Sequence, residues 1–256
     1  MHSTGDMLLL CIAAFIAGFV DAIIGGGGLI QTPTALVVLP QYPVATVIGT
    51  IKIPAFCGTS LASIQYARNV KLDFLMLTVM MVVAASAAFG GSALLTVISN
   101  SFMKPFILIV LVLVAIYTFS NKAFGIHAAK DHTASQQWIY CIVISLVLGF
   151  YDGFIGPGAG SFLVLAFIGF LGFDFLRSSA HAKFVNLSTN FGSIIFFALK
   201  GKIIYPIALP MAVCNALGGL LGARLAILKG NKFIRIFFLV IVCITILRFA
   251  YDVFFK

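Results

Sequence analysis

Charge is what this chain has least of. Asp, Glu, Lys and Arg make up 9% of its 256 residues, while 62% are hydrophobic and the mean hydropathy is +1.16. A soluble domain of this length needs far more polar surface, so a water-soluble fold is excluded. Acidic residues are the scarcest, seven against sixteen Lys and Arg, for a formal net charge of +9. The basic residues stand scattered, with no run dense enough to follow a phosphate backbone, which excludes nucleic-acid binding. Cysteines are few. Cys11, Cys57, Cys141, Cys214 and Cys243 form an odd set inside apolar segments with no two close in sequence. They read as small packing residues, not disulfides or metal ligands. Also missing is the alternation of polar and apolar residues that a membrane β-barrel needs. The N-terminus, MHSTGDMLLL, has no basic stretch before its apolar run, so an uncleaved first helix is expected in place of a signal peptide.

What is present is a duplication. Asp21 stands in GFVDAIIGGGG and Asp152 in GFYDGFIGPGAG, 131 positions apart (152 − 21). The same offset joins Lys52 to Lys183, Lys71 to Lys202, Gly91 to Gly222 and Asn100 to Asn231. Repeats of this size in so apolar a chain point to a membrane transporter with its binding site where the copies meet. The first repeat covers 1–120, a polar linker 121–136 and the second repeat 137–256. Apolar segments fall at 7–24, 29–39, 44–67, 72–98 and 102–120, and again at 138–155, 160–171, 175–199, 203–228 and 232–254. The expected fold is an all-α transmembrane helical bundle.

The second segment of each copy is too short to cross about 30 Å of hydrocarbon as an ordinary helix. Gly25–Gly28 separate it from the first segment in copy one; Gly156, Gly158 and Gly160 do so in copy two. Broken backbone at membrane depth has unpaired N–H and C=O groups, and survives only inside protein or beside a wet cavity. Each pair of segments is therefore a re-entrant hairpin or one interrupted helix. A hairpin makes the repeats inverted, and an interrupted helix makes them parallel. The positive-inside rule favours inversion, which unites Lys122 and Lys130 with Lys229, Lys232 and Arg235.

Three sets of polar residues are candidates for a site. A glycine break followed by a helix N-terminus offers unpaired N–H donors and a favourable dipole to an anion. Copy one supplies Gly27, Gly28, Gln31 and Thr32; copy two supplies Gly158, Gly160 and Ser161. The plainer reading is that these glycines let helices approach closely. Lys52 and Lys183 form the second set. A lysine at mid-bilayer costs about 2.5–3.5 kcal/mol, so it needs a partner, a wet cavity or a route to the interface. Asn186 and Asn190 share a helix face with Lys183 and form the third set. Asp21 and Asp152 suit helix capping, pairing with a lysine, or proton relay, and His181 suits packing or proton coupling. No segment gathers a catalytic triad or a metal-ligand set, and GGGGLIQT lacks the lysine and spacing of a nucleotide loop. Neither an enzyme nor a cofactor is expected.

The motifs GFVDAIIGGGGLIQTP in copy one, and GFYDGFIGPGAGSF followed by AHAKFVNLSTN in copy two, resemble the TauE/SafE-type sulfite exporter (TSUP) family. The resemblance runs over nearly the whole chain. It implies a bacterial inner-membrane permease that moves sulfite, an organosulfonate or a related small anion, mostly outward. One departure is Thr50-Ile51-Lys52, where relatives tend to carry Thr-Asn-Lys. The expected partners are a small anion and the lipid bilayer, with the oligomeric state left open. Alternating access is the expected mechanism, and a passive anion channel the alternative.

Overall fold

The computed structural model describes residues 4–103, 105–107, 109–110 and 133–255. Residues 121–132 of the linker and most of the apolar segment 102–120 lie outside the described residues. Eight principal helices follow in order: α1 (Thr4–Ile24), α2 (Gly28–Val38), α3 (Val44–Asn69), α4 (Phe74–Val97), α5 (Ala134–Phe154), α6 (Ala159–Leu171), α7 (Phe175–Leu199) and α8 (Tyr205–Phe255). Gly230 breaks α8 with φ 67° and ψ −165°. Among the described residues six helices, α8 being counted as Tyr205–Gly230, are long and apolar enough to cross a membrane. The remaining two, α2 and α6, have 11 and 13 residues and reach only about 16–20 Å.

The duplication is visible in the helix starts. Gly28, Val44 and Phe74 open α2, α3 and α4; Ala159, Phe175 and Tyr205 open α6, α7 and α8, each 131 positions later. Local chemistry sets several of these starts. The Asp73 carboxylate accepts from Met76 N, and Asp174 from Arg177 N, each filling an orphan donor of a first turn. Thr133 and Gln136 close a reciprocal capping box at α5.

The short helices fold back. A Cβ on Gly27 would stand 2.5 Å from the Ala17 carbonyl oxygen, ten residues upstream. In the second half, the Tyr151 ring meets that of Phe162 at 5.6 Å, and the Tyr151 hydroxyl donates to Pro157 O. Both halves thus begin with a helical hairpin, one of the two arrangements that the short second segments allow.

The halves interleave. Phe15 and Phe19 of α1 abut Gly218 and Gly222 of α8, in the same order along both helices. Ala84 and Ala88 of α4 likewise abut Gly149 and Gly153 of α5. Each hairpin therefore packs on the last long helix of the other half. Missing side chains make this possible: at Gly153 and Gly218 an added Cβ would lie 2.0–2.1 Å from a neighbouring carbonyl oxygen. At the centre α3 and α7 cross in opposite directions. Gly49 lies against Phe197, Phe56 against Phe191, and Thr59 against Asn186.

Two apolar clusters fill the interior. One gathers Tyr66, Met80, Phe167 and Phe175, and the other Leu10, Leu39, Ile48 and Phe197. Large apolar side chains also cover the outside, with Val37, Val97 and Leu228 77–81% exposed, an arrangement suited to lipid and not to water.

Candidate functional site

The two glycine breaks meet at the centre. A Cβ on Gly25 would lie 2.2 Å from the backbone carbon of Gly160, and Gly28 faces Pro157. Gly25 has φ +81°, a conformation that glycine adopts without penalty. Ser161 ties the breaks together: its N–H donates to Gly25 O at 3.0 Å and its hydroxyl to Ile24 O at 3.1 Å. The first-turn donors of Ser161 are therefore occupied by the opposite hairpin.

Beside this contact lies a cavity offering about 50 Å³ to the centre of a water-sized sphere, room for a few waters. Its walls include Asp21, Gln31, Lys52, Asp152, Asn186 and Asn215. Gly27, Gly28, Thr32, Gly160 and Asn190 complete the polar lining. The sequence-predicted residues Lys183, Gly158, Ser161 and His181 do not line it. His181 is buried between the Phe167 and Phe173 rings, at 6.2 and 5.0 Å, with Nδ1 2.8 Å from Arg177 O.

Four charges form two crossed pairs, three of the four in the cavity wall. Lys52 Nζ donates to Asp152 Oδ1 at 3.0 Å and to Asp152 O at 2.7 Å. Lys183 Nζ donates to Asp21 Oδ2 at 2.9 Å and to Asp21 O. Each lysine takes its counter-ion from the other half. Burial of Lys52, Lys183 and Asp152 is nearly complete, whereas the Asp21 side chain is 18% exposed. A charge buried without such a partner costs several kcal/mol, so the crossed pairs also hold the halves in register. The net charge of the quartet is zero.

The neutral groups differ between the halves. Asn190 Nδ2 donates to Asn186 Oδ1 at 3.0 Å, and Asn215 Nδ2 to Gln31 Oε1 at 3.1 Å. Gln31 is 3% exposed, and its Nε2 is buried with no partner. Thr189 donates from Oγ1 to Asp152 Oδ2, with Asn186 O within reach at 2.8 Å. Asn215 and Thr189 are missing from the sequence-based candidates. Asn215 stands alone in the apolar run of α8, and its copy-one match is Ala84. A lone amide in mid-span was the available signal. Thr50 lies outside the cavity and accepts from Ile204 N at 3.0 Å.

The sequence profile described as "Sulfite exporter TauE/SafE" matches residues 10–249. A Haemophilus influenzae protein described as a probable membrane transporter protein is 32% identical over 245 residues, covering 96% of this chain and 94% of its own. "Probable membrane transporter protein YfcA" of Escherichia coli K12 is 32% identical over 250 residues, covering 95% and 89%. "Probable membrane transporter protein ORF9" of a Sinorhizobium species is 31% identical over 229 residues, covering 90% and 86%. No solved structure matches. The apolar interleaved bundle, the central polar cavity and these similarities identify an integral membrane transporter, and the chain belongs to the TauE/SafE sulfite exporter family.

Proposed function

We propose that this protein is a secondary transporter that carries a small anion, sulfite or an organosulfonate, out across the bacterial inner membrane. The anion binds in the cavity between the hairpins, and the halves act as inverted repeats that expose it to each side in turn. Carrying this reading is Gln31, which lines that cavity and whose buried Nε2 has no partner. A buried donor without an acceptor is costly, and an oxyanion or water there satisfies it. Lys52 and the Asn186 and Asn190 amides supply further donors at the same wall. The opposed directions of α3 and α7 and the matched helix starts support inversion.

The test is thermal stability of the purified protein against sulfite, sulfate, thiosulfate, sulfoacetate, taurine and chloride. Binding to the folded state raises Tm by an amount that grows with the ratio of anion concentration to Kd. A shift with a sulfur oxyanion that is lost in Gln31→Leu supports the site. No shift with any of them, or one unchanged in Gln31→Leu, removes it. Anion flux in vesicles that rises linearly without saturation identifies a channel instead.

A further inference from the structure

We propose that the anion travels with a proton, and that Asp152 carries it. This rests on the anion reading above. The quartet Lys52, Lys183, Asp21 and Asp152 has no net charge. A monoanion added alone leaves one uncompensated negative charge in a site walled by apolar helices, which is strongly disfavoured. A monoanion added with a proton leaves the balance at zero.

The surroundings of the two carboxylates select Asp152. Asp21 has Lys183 on Oδ2, and its Oδ1 faces the Gly27 N–H at 3.4 Å. A backbone N–H only donates, so it offers no acceptor to a carboxyl hydrogen on that oxygen. Asp152 has Lys52 on Oδ1 and the Thr189 hydroxyl on Oδ2. A hydroxyl both donates and accepts. Thr189 Oγ1 has one hydrogen and two acceptors within reach, Asp152 Oδ2 and Asn186 O. With Asp152 ionised, Thr189 donates to it and the Asn186 carbonyl is not served by that hydroxyl. With Asp152 protonated, its O–H donates to Thr189 Oγ1, and the Thr189 hydrogen turns to Asn186 O. Both contacts are then filled. Position 58, which matches Thr189 in copy one, is glycine, so this device belongs to one half alone.

The exchange balances. A proton from water adds to Asp152 Oδ2, Lys52 turns one N–H from Asp152 Oδ1 to the anion, and its bond to Asp152 O stays. The groups facing Asp152 are Lys52 from α3 and Thr189 from α7, with Asp21 across the cavity and Tyr151 beside it on α5. From α4 the nearest polar group is the Ser92 hydroxyl, which donates to Gly153 O.

Calorimetry in two buffers of different ionisation enthalpy counts protons taken up per anion bound. The probe is methanesulfonate, an anion of a strong acid that brings no proton of its own. Where it does not raise Tm, nitrate or chloride replaces it, whichever raises Tm more. Uptake of about one proton per anion is expected near neutral pH. Thr189→Ser should keep that count; Thr189→Val and Asp152→Asn should bind with little or none. Asp152→Asn strands Lys52 and can fail to fold, so the two Thr189 variants decide the case. Binding by the wild type without proton uptake, or equal uptake in Thr189→Val, overturns the proposal while sparing the anion site. No Tm rise with any probe removes the anion reading and the coupling together.

Discussion

Lys52 reaches out of its own half of the chain to Asp152, with Nζ 3.0 Å from Oδ1, and Lys183 makes the reciprocal pair with Asp21. Energetic coupling should therefore run between halves. Asp21→Ala leaves Lys183 buried and unpaired, and should cost about 3–5 kcal/mol. Removing Lys183 as well, as Asp21→Ala with Lys183→Met, should recover much of that loss. Double-mutant cycles on thermal unfolding in one detergent should show strong coupling for Lys52–Asp152 and Lys183–Asp21. Coupling for Lys52–Asp21, within one half, should be weak. The reverse pattern would contradict the crossed arrangement.

The meeting of the glycine breaks predicts sharp positional contrast. Gly25→Ala and Gly160→Ala place a methyl within 2.2–2.6 Å of backbone in the opposing hairpin, and should abolish the folded monodisperse protein. Gly90 and Gly169 have nothing within 4 Å of an added Cβ. Alanine there should be neutral, or stabilising by up to about 1 kcal/mol from helix propensity. Size-exclusion profiles at matched expression check both.

Gln31→Leu should weaken anion binding roughly tenfold, about 1.4 kcal/mol, by removing one donor to a charged ligand. Asn215→Ala should give a smaller loss, because its amide holds Gln31 Oε1 and so fixes the orientation of the Gln31 amide. Calorimetric Kd values in both variants test the order.

Asn186→Ala and Asn190→Ala should reduce transport more than Thr59→Ala or Thr50→Ala. The two asparagines line the cavity, and the two threonines do not. Thr50→Ala should instead cost about 1 kcal/mol of stability, because it removes the acceptor for Ile204 N. Transport at matched membrane expression, set beside Tm, separates the two effects.

The constant offset, the glycine-rich breaks and several polar residues of the cavity wall can be read in the sequence because they are local signals, whereas a hairpin and an interrupted helix look alike there. Lys52, Asn186, Asn190, Gln31 and Thr32 were readable as polar groups in apolar segments. Pairing of an aspartate with a lysine was readable as one option, but which lysine meets which carboxylate was not. Lys183 is no further in sequence from Asp152 than Lys52 is from Asp21, and only the antiparallel crossing of α3 and α7 places each beside the other half's carboxylate. Lys52 stands in the cavity wall and Lys183 does not, although the two occupy matching positions. Thr189 escaped notice because it lies off the face shared by Lys183, Asn186 and Asn190. His181 packs against Phe167 and Phe173, does not line the cavity, and has its Nε2 buried without a partner.

Counterflow in proteoliposomes tests most directly that an anion is carried from a site between the two halves. Vesicles are loaded with the unlabelled anion that gives the largest Tm shift, then diluted into a trace of the same anion labelled. The account predicts saturable uptake with a transient overshoot, and its loss in Gln31→Leu at equal protein content. Flux that is linear in concentration, shows no overshoot and persists in Gln31→Leu would contradict it.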